Sequence, residues 1–119
     1  RAKYPQTTFV HVTVPLTTVQ GGAKAWVKKL LGTQPWGAKE NEVRHRFNQL
    51  LRTRLASEPL FDLAQLESTR ADGTAERFEL GGAQVPALVA AYSDDGQHLN
   101  ATGRVRVAAA LVSFLAKLP

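Results

Sequence analysis

Apolar runs rich in β-branched residues alternate along the chain with segments in which apolar residues recur every three or four positions. The first run, residues 7–14, reads TTFVHVTV and ends at Pro15, and this composition predicts a strand. Its nearly continuous apolar character is typical of a strand covered on both faces, as in a parallel sheet. A second short run, residues 60–64 (LFDLA), predicts another buried strand.

Three segments between and after these runs predict helices. Residues 23–31 follow a glycine turn and end at Gly32. In residues 40–56 the spacing of apolar residues places one set on a single helix face: Val43, Phe47, Leu50, Leu51 and Leu55. Asn100 is a suitable N-cap for a last helix, whose apolar residues also share a face.

A polar segment interrupts this alternation of predicted strands and helices. Residues 68–85 contain Asp72-Gly73 and Gly81-Gly82 as turn points and predict a small hairpin. The remaining order of strands and helices predicts the α/β class.

The 119 residues are expected to form a single unit, because no repeat, low-complexity tract or linker divides them. Two predicted strands are few for a parallel layer, which predicts that the chain is part of a larger sheet. The sequence begins with neither an initiator methionine nor a signal-peptide pattern, which predicts that the chain was cut at this point. An uncovered edge on the first strand predicts self-association of the isolated chain.

Composition excludes several classes of function. The chain is 44% hydrophobic and 21% charged, values of an ordinary globular protein, and no apolar run approaches the roughly 20 residues of a membrane span. Cysteine is absent, which excludes disulfide scaffolds, thiol catalysis and cysteine-ligated metals. The three histidines, His11, His45 and His98, lack the spacing of a zinc site, so no metal is expected.

Charge is unevenly distributed along the chain. Residues 1–54 carry ten Lys and Arg against two acidic residues, and Trp26 and Trp36 flank the Lys28-Lys29 pair. A basic half with interleaved aromatic residues is a pattern found in nucleic-acid-binding proteins. We favour the simpler interpretation, in which the cations solvate a helix face and the indoles seal a surface loop, so no nucleic-acid partner is expected.

The residues that point to chemistry lie near the C-terminus, in Asp95-Gly96-Gln97-His98. An acid three residues before a histidine, with a glycine turn between them, allows the carboxylate to approach the imidazole and fix its tautomer. That arrangement is typical of a general base with its orienting acid. Asp94 is the competing acid.

The segment Asp95-Gly96-Gln97-His98-Leu99-Asn100-Ala101-Thr102-Gly103 resembles the terminal motif of the SGNH (GDSL) hydrolase superfamily. Residues 9–16 resemble a late sheet strand of SGNH-like bacterial proteins, and Glu40-Asn41, residues 61–64 and Glu67-Ser68 fit the same stretch. The resemblance implies the C-terminal part of a three-layer, flavodoxin-like sandwich with parallel strands. It also favours Asp95 over Asp94, because the spacing in the family is three.

The resemblance implies a serine hydrolase acting on an ester or an acetylated carbohydrate, with Asp95 as the acid and His98 as the base of its triad. No cofactor is implied, because triad chemistry needs only oriented hydrogen-bond donors. The Gly-Asp-Ser-like nucleophile motif and the central motifs of the oxyanion hole are not recognisable here, so we expect them in a missing N-terminal half. A non-catalytic SGNH-like binding module is the alternative, and a small basic nucleic-acid-binding protein is a third, less favoured one. Cysteine-free bacterial relatives are often exported, which suggests an extracytoplasmic location.

Overall fold

The computed structural model describes residues 3–118. In chain order the elements are strand β1 (His11–Val12), helix α1 (Gly22–Leu30), helix α2 (Ala38–Arg54), strand β2 (Leu60–Phe61), helix α3 (Leu63–Glu67), strand β3 (Arg77–Leu80), strand β4 (Ala83–Pro86) and helix α4 (Ala101–Leu115). A 3-10 turn, Ala90–Tyr92, precedes α4. Among these described helices, none combines the length and the apolar character that a membrane crossing requires.

β1 and β2 form a parallel pair, with His11 opposite Leu60 and Val12 opposite Phe61. Helices α1 and α2 make the long connection that parallel strands need. The predicted α/β class and the parallel pairing are therefore confirmed. Within residues 3–118 no strand lies beside the other edge of β1, and the Val12 side chain is 48% exposed. The prediction that β1 is covered on both faces is thus wrong for the described chain.

The regular first strand is shorter than predicted, because side chains take the place of a neighbouring strand beyond Val12. The Asn48 amide of α2 accepts a hydrogen bond from the backbone N–H of Val14 (2.7 Å) and donates one to its carbonyl (2.8 Å). Asn41, seven residues earlier on α2, makes the same two bonds with the backbone of Thr17 (2.9 and 2.7 Å). Each amide group thus pairs with the backbone as a peptide unit would, and holds this segment without a sheet ladder.

The face of α2 that packs on the chain is consequently its polar face. Asn41 and Asn48 are completely buried, whereas Val43, Phe47 and Leu50 are each about half exposed or more. Of the apolar face predicted from the spacing, these three residues are turned outward within the described chain, whereas Leu51 and Leu55 are partly buried. Such a face is uncommon on a free surface, where apolar groups lose the stabilisation that burial gives.

The core lies where the chain after β1, helix α3 and the segment before α4 meet. It consists of five buried residues: Leu16, Ala64, Leu88, Val89 and Tyr92. The Leu88 amide donates to the Thr17 carbonyl, and the Val89 amide donates to the Glu67 carbonyl, both over 2.9 Å. This core fixes the end of β1 relative to the start of α4.

The predicted hairpin is confirmed, with β3 and β4 antiparallel and Arg77 opposite Pro86. Gly81 and Gly82 form its two-residue turn with φ of 58° and 81°. Both values lie in the left-handed region that hairpin turns of this type require, which explains the glycine pair.

Glu67, at the end of α3, is a buried acid whose carboxylate accepts a hydrogen bond from the Leu16 amide over 2.7 Å. Burial raises the pKa of Glu67 to about 7, although the Leu16 amide and the Arg44 guanidinium favour the ionised form. Between its ordinary pKa of 4.5 and about 7, the folded protein therefore holds a proton on Glu67 that the unfolded chain has lost. The stabilisation that comes from holding this proton is fully present below pH 4.5. It is lost as the pH rises from 4.5 to about 7.

We expect Glu67→Gln to flatten the decline in stability between pH 4.5 and 7. The amide keeps an oxygen that accepts from Leu16 but carries no charge, so above this window the variant should be more stable than the wild type by roughly 2–3 kcal/mol. Urea unfolding at pH 4.5 and pH 8 measures the difference. Glu79→Gln, at an exposed position on β3, is the matched control and should change the free energy of unfolding by less than about 0.5 kcal/mol at either pH. Parallel curves for Glu67→Gln and wild type would contradict the prediction.

Candidate active site

The loop between the 3-10 turn and α4 is closed by short-range hydrogen bonds. Ser93 and Leu99 form an isolated antiparallel bridge across its base. Gly96 has φ of +83°, a value that favours glycine and lets the chain reverse between Asp95 and His98. One carboxylate oxygen of Asp95 accepts from the backbone amides of Gln97 and His98, each over 2.8 Å. The acid is thus fixed to the loop that carries the histidine.

The second carboxylate oxygen of Asp95 contacts Nδ1 of the His98 imidazole over 2.7 Å. The contact expected from the three-residue spacing is therefore present. The His98 amide, the His98 side chain and the Gln97 amide hold the pKa of Asp95 well below its usual range. Because an ionised carboxylate only accepts hydrogen bonds, Nδ1 carries the hydrogen and Nε2 of a neutral imidazole is left as a base. The His98 side chain is 83% exposed, so that nitrogen is accessible.

Asp94, the competing acid, has a different partner. One of its carboxylate oxygens accepts from the Asn100 side-chain amide over 3.1 Å. The oxygen of that amide accepts from the Gly103 backbone amide over 3.0 Å, so Asn100 caps α4 as predicted. Asp94 therefore supports the cap of the helix, while Asp95 faces the imidazole.

Ser93 braces the loop. Its hydroxyl donates to the backbone carbonyl of His98 over 2.7 Å and accepts from the Gly96 amide over 2.8 Å. A third, longer bond of 3.3 Å is donated to the Asp95 carboxylate, and none of these contacts is made to the imidazole ring. A serine held this way is not activated by His98, because activation requires a hydrogen bond between its hydroxyl and the base.

The loop is attached to the chain that continues from the carboxyl end of β1. The Thr18 amide donates to the Gly96 carbonyl over 2.9 Å. A Cβ on Gly96 would lie 2.7 Å from the Thr18 hydroxyl and 3.2 Å from the Trp36 ring, so glycine is required by space as well as by φ. The carboxyl ends of parallel strands are where α/β proteins usually bind ligands, and Asp95 and His98 lie on that side.

Thr18 and Trp36 were not identified from the sequence as neighbours of the Asp95–His98 pair. The sequence signal for this proximity was the pair Gly37 and Gly96. Both have positive φ, and both approach Thr18 closely. A glycine in a sequence indicates a close approach but does not say which segment comes close. The expectation that the Trp36 indole seals a surface loop is met in part, because its ring packs at Gly96 yet stays 45% exposed.

The basic half of the chain has some of its arginines already paired. Arg46 forms an ion pair with Glu42 one turn earlier on α2, and Arg52 binds Asp62 through two hydrogen bonds. The side chains of Trp26 and Lys29, which the nucleic-acid interpretation needs, lie outside the described part of the structure. No described group of three or more His, Asp or Glu side chains is arranged to hold a metal ion.

Comparisons with protein-family models, with curated proteins and with solved structures found no match for this chain.

Proposed function

We propose that this chain is the acid–base part of an SGNH-type serine hydrolase that cleaves an ester or acetyl ester. His98 is its general base and Asp95 the acid that orients it, and the serine lies on a segment outside residues 1–119. The observation that carries the proposal is the 2.7 Å contact between Asp95 and Nδ1 of His98, on a loop that is bonded to Thr18 in the chain after β1. The resemblance of residues 95–103 to the terminal SGNH motif supports it.

The chemistry follows from the free Nε2 of His98. This nitrogen takes the proton of the serine hydroxyl as the serine oxygen attacks the acyl carbon, and the Asp95 carboxylate stabilises the imidazolium. The imidazolium then gives the proton to the leaving alcohol, which leaves an acyl-serine. In the second half, His98 takes a proton from water as the water oxygen attacks the acyl carbon. The imidazolium then returns that proton to the serine oxygen as its bond to the acyl carbon breaks, which releases the acid and the free serine.

The serines within the described chain do not suit the role of nucleophile. Ser93 is bonded to the backbone of its own loop, and Ser68 is buried with its hydroxyl donating to the Ala64 carbonyl over 2.7 Å. Ser57 lies before the amino end of β2, and no hydrogen bond links it to His98 within the described chain. Ser113 lies some three turns along α4, about 18 Å from its start. A nucleophile from another segment is therefore the better proposal.

The uncovered surface of the chain supports the idea that another segment packs on it. The accessible surface is 7980 Å², whereas a compact monomer of this length exposes about 6300 Å². The radius of gyration is 16.3 Å, against about 13.5 Å for a compact domain. Exposed apolar residues also line α4, namely Val105, Val112 and Leu115. We propose that residues 1–119 form the C-terminal part of a three-layer, flavodoxin-like sandwich whose remaining strands continue beyond the open edge of β1.

Labelling with a fluorophosphonate, which reacts with activated serines, tests this function. In the full-length protein we expect one adduct, mapped by peptide mass spectrometry to a serine outside residues 1–119. The isolated 119-residue chain should remain unlabelled under the same conditions, and heat-denatured full-length protein is the control for non-specific reaction. An adduct on Ser93 would place the nucleophile in this chain and overturn the assignment. A full-length protein that takes no label would instead favour the non-catalytic binding module.

A further inference from the structure

A cleft lies between helix α2, helix α3 and the hairpin of β3 and β4. Its volume is about 290 Å³, at the lower end of the range for small-molecule sites. Its lining includes side chains that donate hydrogen bonds: His45, Gln49 and Arg52 of α2, Gln65 of α3 and Arg77 of β3. Among the described residues, none from the loop that carries Asp95 and His98 lines it. The cleft is therefore separate from the acid–base pair.

The elements around the cleft bring these donors together. His45, Gln49 and Arg52 are spaced four and three residues apart, so they share one face of α2. Arg77 lies opposite Pro86 in the hairpin, and both residues line the cleft together with that helix face. Donors from a helix and a strand thus converge on one volume, and all of them belong to this chain.

The positive charge of the cleft is only partly neutralised. The Arg52 guanidinium donates from Nε and Nη2 to the Asp62 carboxylate, over 2.7 and 2.9 Å, and its Nη1 group makes no hydrogen bond within the described chain. Arg77 forms no ion pair with any described carboxylate. No described acidic residue lines the cleft. An anion bound here therefore meets one unpaired guanidinium and the free edge of a second.

The His45 imidazole is sensitive to both arginines. Its Nδ1 is buried and has no hydrogen-bond partner within the described chain, which is unusual for a buried polar nitrogen. Burial of the ring, and then the positive charges of Arg52 and Arg77, hold the pKa of His45 below its usual range. The imidazole is therefore mainly neutral at neutral pH, with one N–H to donate. An anion beside the two guanidiniums offsets their charge and favours a second proton on the ring.

This set of donors matches a phosphate group better than a carboxylate. A carboxylate has two coplanar oxygens, which the fork of one arginine already satisfies, as Arg52 does for Asp62. A phosphate monoester has three acceptor oxygens that point in different directions, so it can accept from Arg77, Arg52 and His45 at the same time. The volume of the cleft also leaves room for an organic group attached to the phosphate.

We propose that this cleft is a binding site for a phosphate group, free or carried as the monoester of a small molecule. Arg77 and the Nη1 group of Arg52 bind its oxygens as guanidinium donors, and a ring N–H of His45 donates a further hydrogen bond. The inference goes beyond the proposed function, because it needs neither the serine nor His98. Failure of one leaves the other standing.

Isothermal titration calorimetry of the full-length protein with inorganic phosphate, at neutral pH and constant ionic strength, tests the site. We expect saturable binding, and we expect Arg77→Gln to raise the Kd at least about tenfold because it removes the unpaired charged donor. Arg77→Lys keeps the charge without the fork and should have an intermediate Kd. Arg46→Gln removes the same charge from an exposed position of α2 that does not line the cleft, and should leave the Kd unchanged.

Two further measurements locate the anion and identify its source. In NMR spectra of histidine-labelled protein, assigned with His45→Gln, the His45 ring signals should shift as phosphate is added. The pKa of His45 should rise when phosphate is saturating. Ribose 5-phosphate in the same calorimetric titration separates the two sources: tighter binding than inorganic phosphate indicates an ester, and binding that is no tighter indicates the free ion.

Several results would overturn the inference. They are the absence of saturable binding of either phosphate, an equal loss of affinity in Arg46→Gln and Arg77→Gln, phosphate binding that leaves the His45 signals unmoved, and acetate binding as tight as that of phosphate. Binding of oligothymidylate without binding of either small phosphate would overturn it in favour of a nucleic acid. Circular dichroism of each variant checks that the fold is retained.

Discussion

Replacing His98 with alanine should lower the turnover of p-nitrophenyl acetate by the full-length protein at least about a thousandfold. Without the imidazole, no described group in the loop can take the serine proton and return it to the leaving alcohol. The fold should be unaffected, because the His98 side chain is 83% exposed. Its backbone amide and carbonyl, which bond to Asp95 and Ser93, are retained in the variant. Initial rates and far-ultraviolet circular dichroism measure the two effects.

The two neighbouring acids provide a matched pair of variants for the same assay. Asp95→Ala should also abolish turnover. Asp95→Asn should be nearly as damaging, because its amide group would donate to Nδ1 and leave the hydrogen on Nε2. Asp94→Asn should remain within a few fold of wild type, since Asp94 contacts the helix cap and not the imidazole. If Asp94→Ala alone abolished turnover, Asp95 would be wrong as the orienting acid.

The Asp95–His98 contact could be predicted from the sequence because its cause is local. A carboxylate three residues before a histidine, with Gly96 between them, closes a short loop whatever the rest of the chain does. The hairpin at Gly81-Gly82 and the Asn100 cap are local in the same way. The catalytic role of the contact stays a prediction, since the geometry of two residues does not supply a nucleophile.

The parts that sequence reasoning missed depend on contacts between distant segments. Residues 7–14 have strand composition, but only His11–Val12 forms a regular strand, because the next partners are the Asn41 and Asn48 side chains. Asn41 and Asn48 lie outside the set of apolar residues that the spacing places on one face of α2, and polar residues of a surface helix usually face water. Two asparagines seven residues apart on one helix face were a signal for a buried polar face. Which strand they would bind was not readable from that spacing.

The outward apolar face of α2 has the same explanation. Because the polar face is occupied by the chain after β1, the side that carries Val43, Phe47 and Leu50 is left for another segment. The spacing correctly placed these residues together. In the proposed sandwich, elements outside residues 1–119 would cover them.

Asn41→Leu is expected to lower the free energy of unfolding by about 2–4 kcal/mol. Leucine has the branched shape of asparagine but is larger, so the variant leaves no cavity, and the loss combines the missing hydrogen bonds with crowding at a fully buried position. The Asn41 side chain bonds to the N–H, the carbonyl and the hydroxyl of Thr17, and both residues are buried. Removing it leaves a buried backbone N–H without its partner, and the carbonyl keeps only the Leu88 amide.

Urea unfolding followed by circular dichroism measures this loss, with Gln49→Leu as the control at an exposed position of α2. The control should change the unfolding free energy by less than about 0.5 kcal/mol. If the loss in Asn41→Leu is no larger than the control's, water replaces the amide and the Asn41–Thr17 hydrogen bonds do not stabilise the fold. Because Thr17 precedes the residue that bonds to Gly96, a real loss should also loosen the His98 loop. Faster amide hydrogen exchange at Thr18 in Asn41→Leu, with no change in Gln49→Leu, would connect the Asn41–Thr17 hydrogen bonds to the position of the His98 loop.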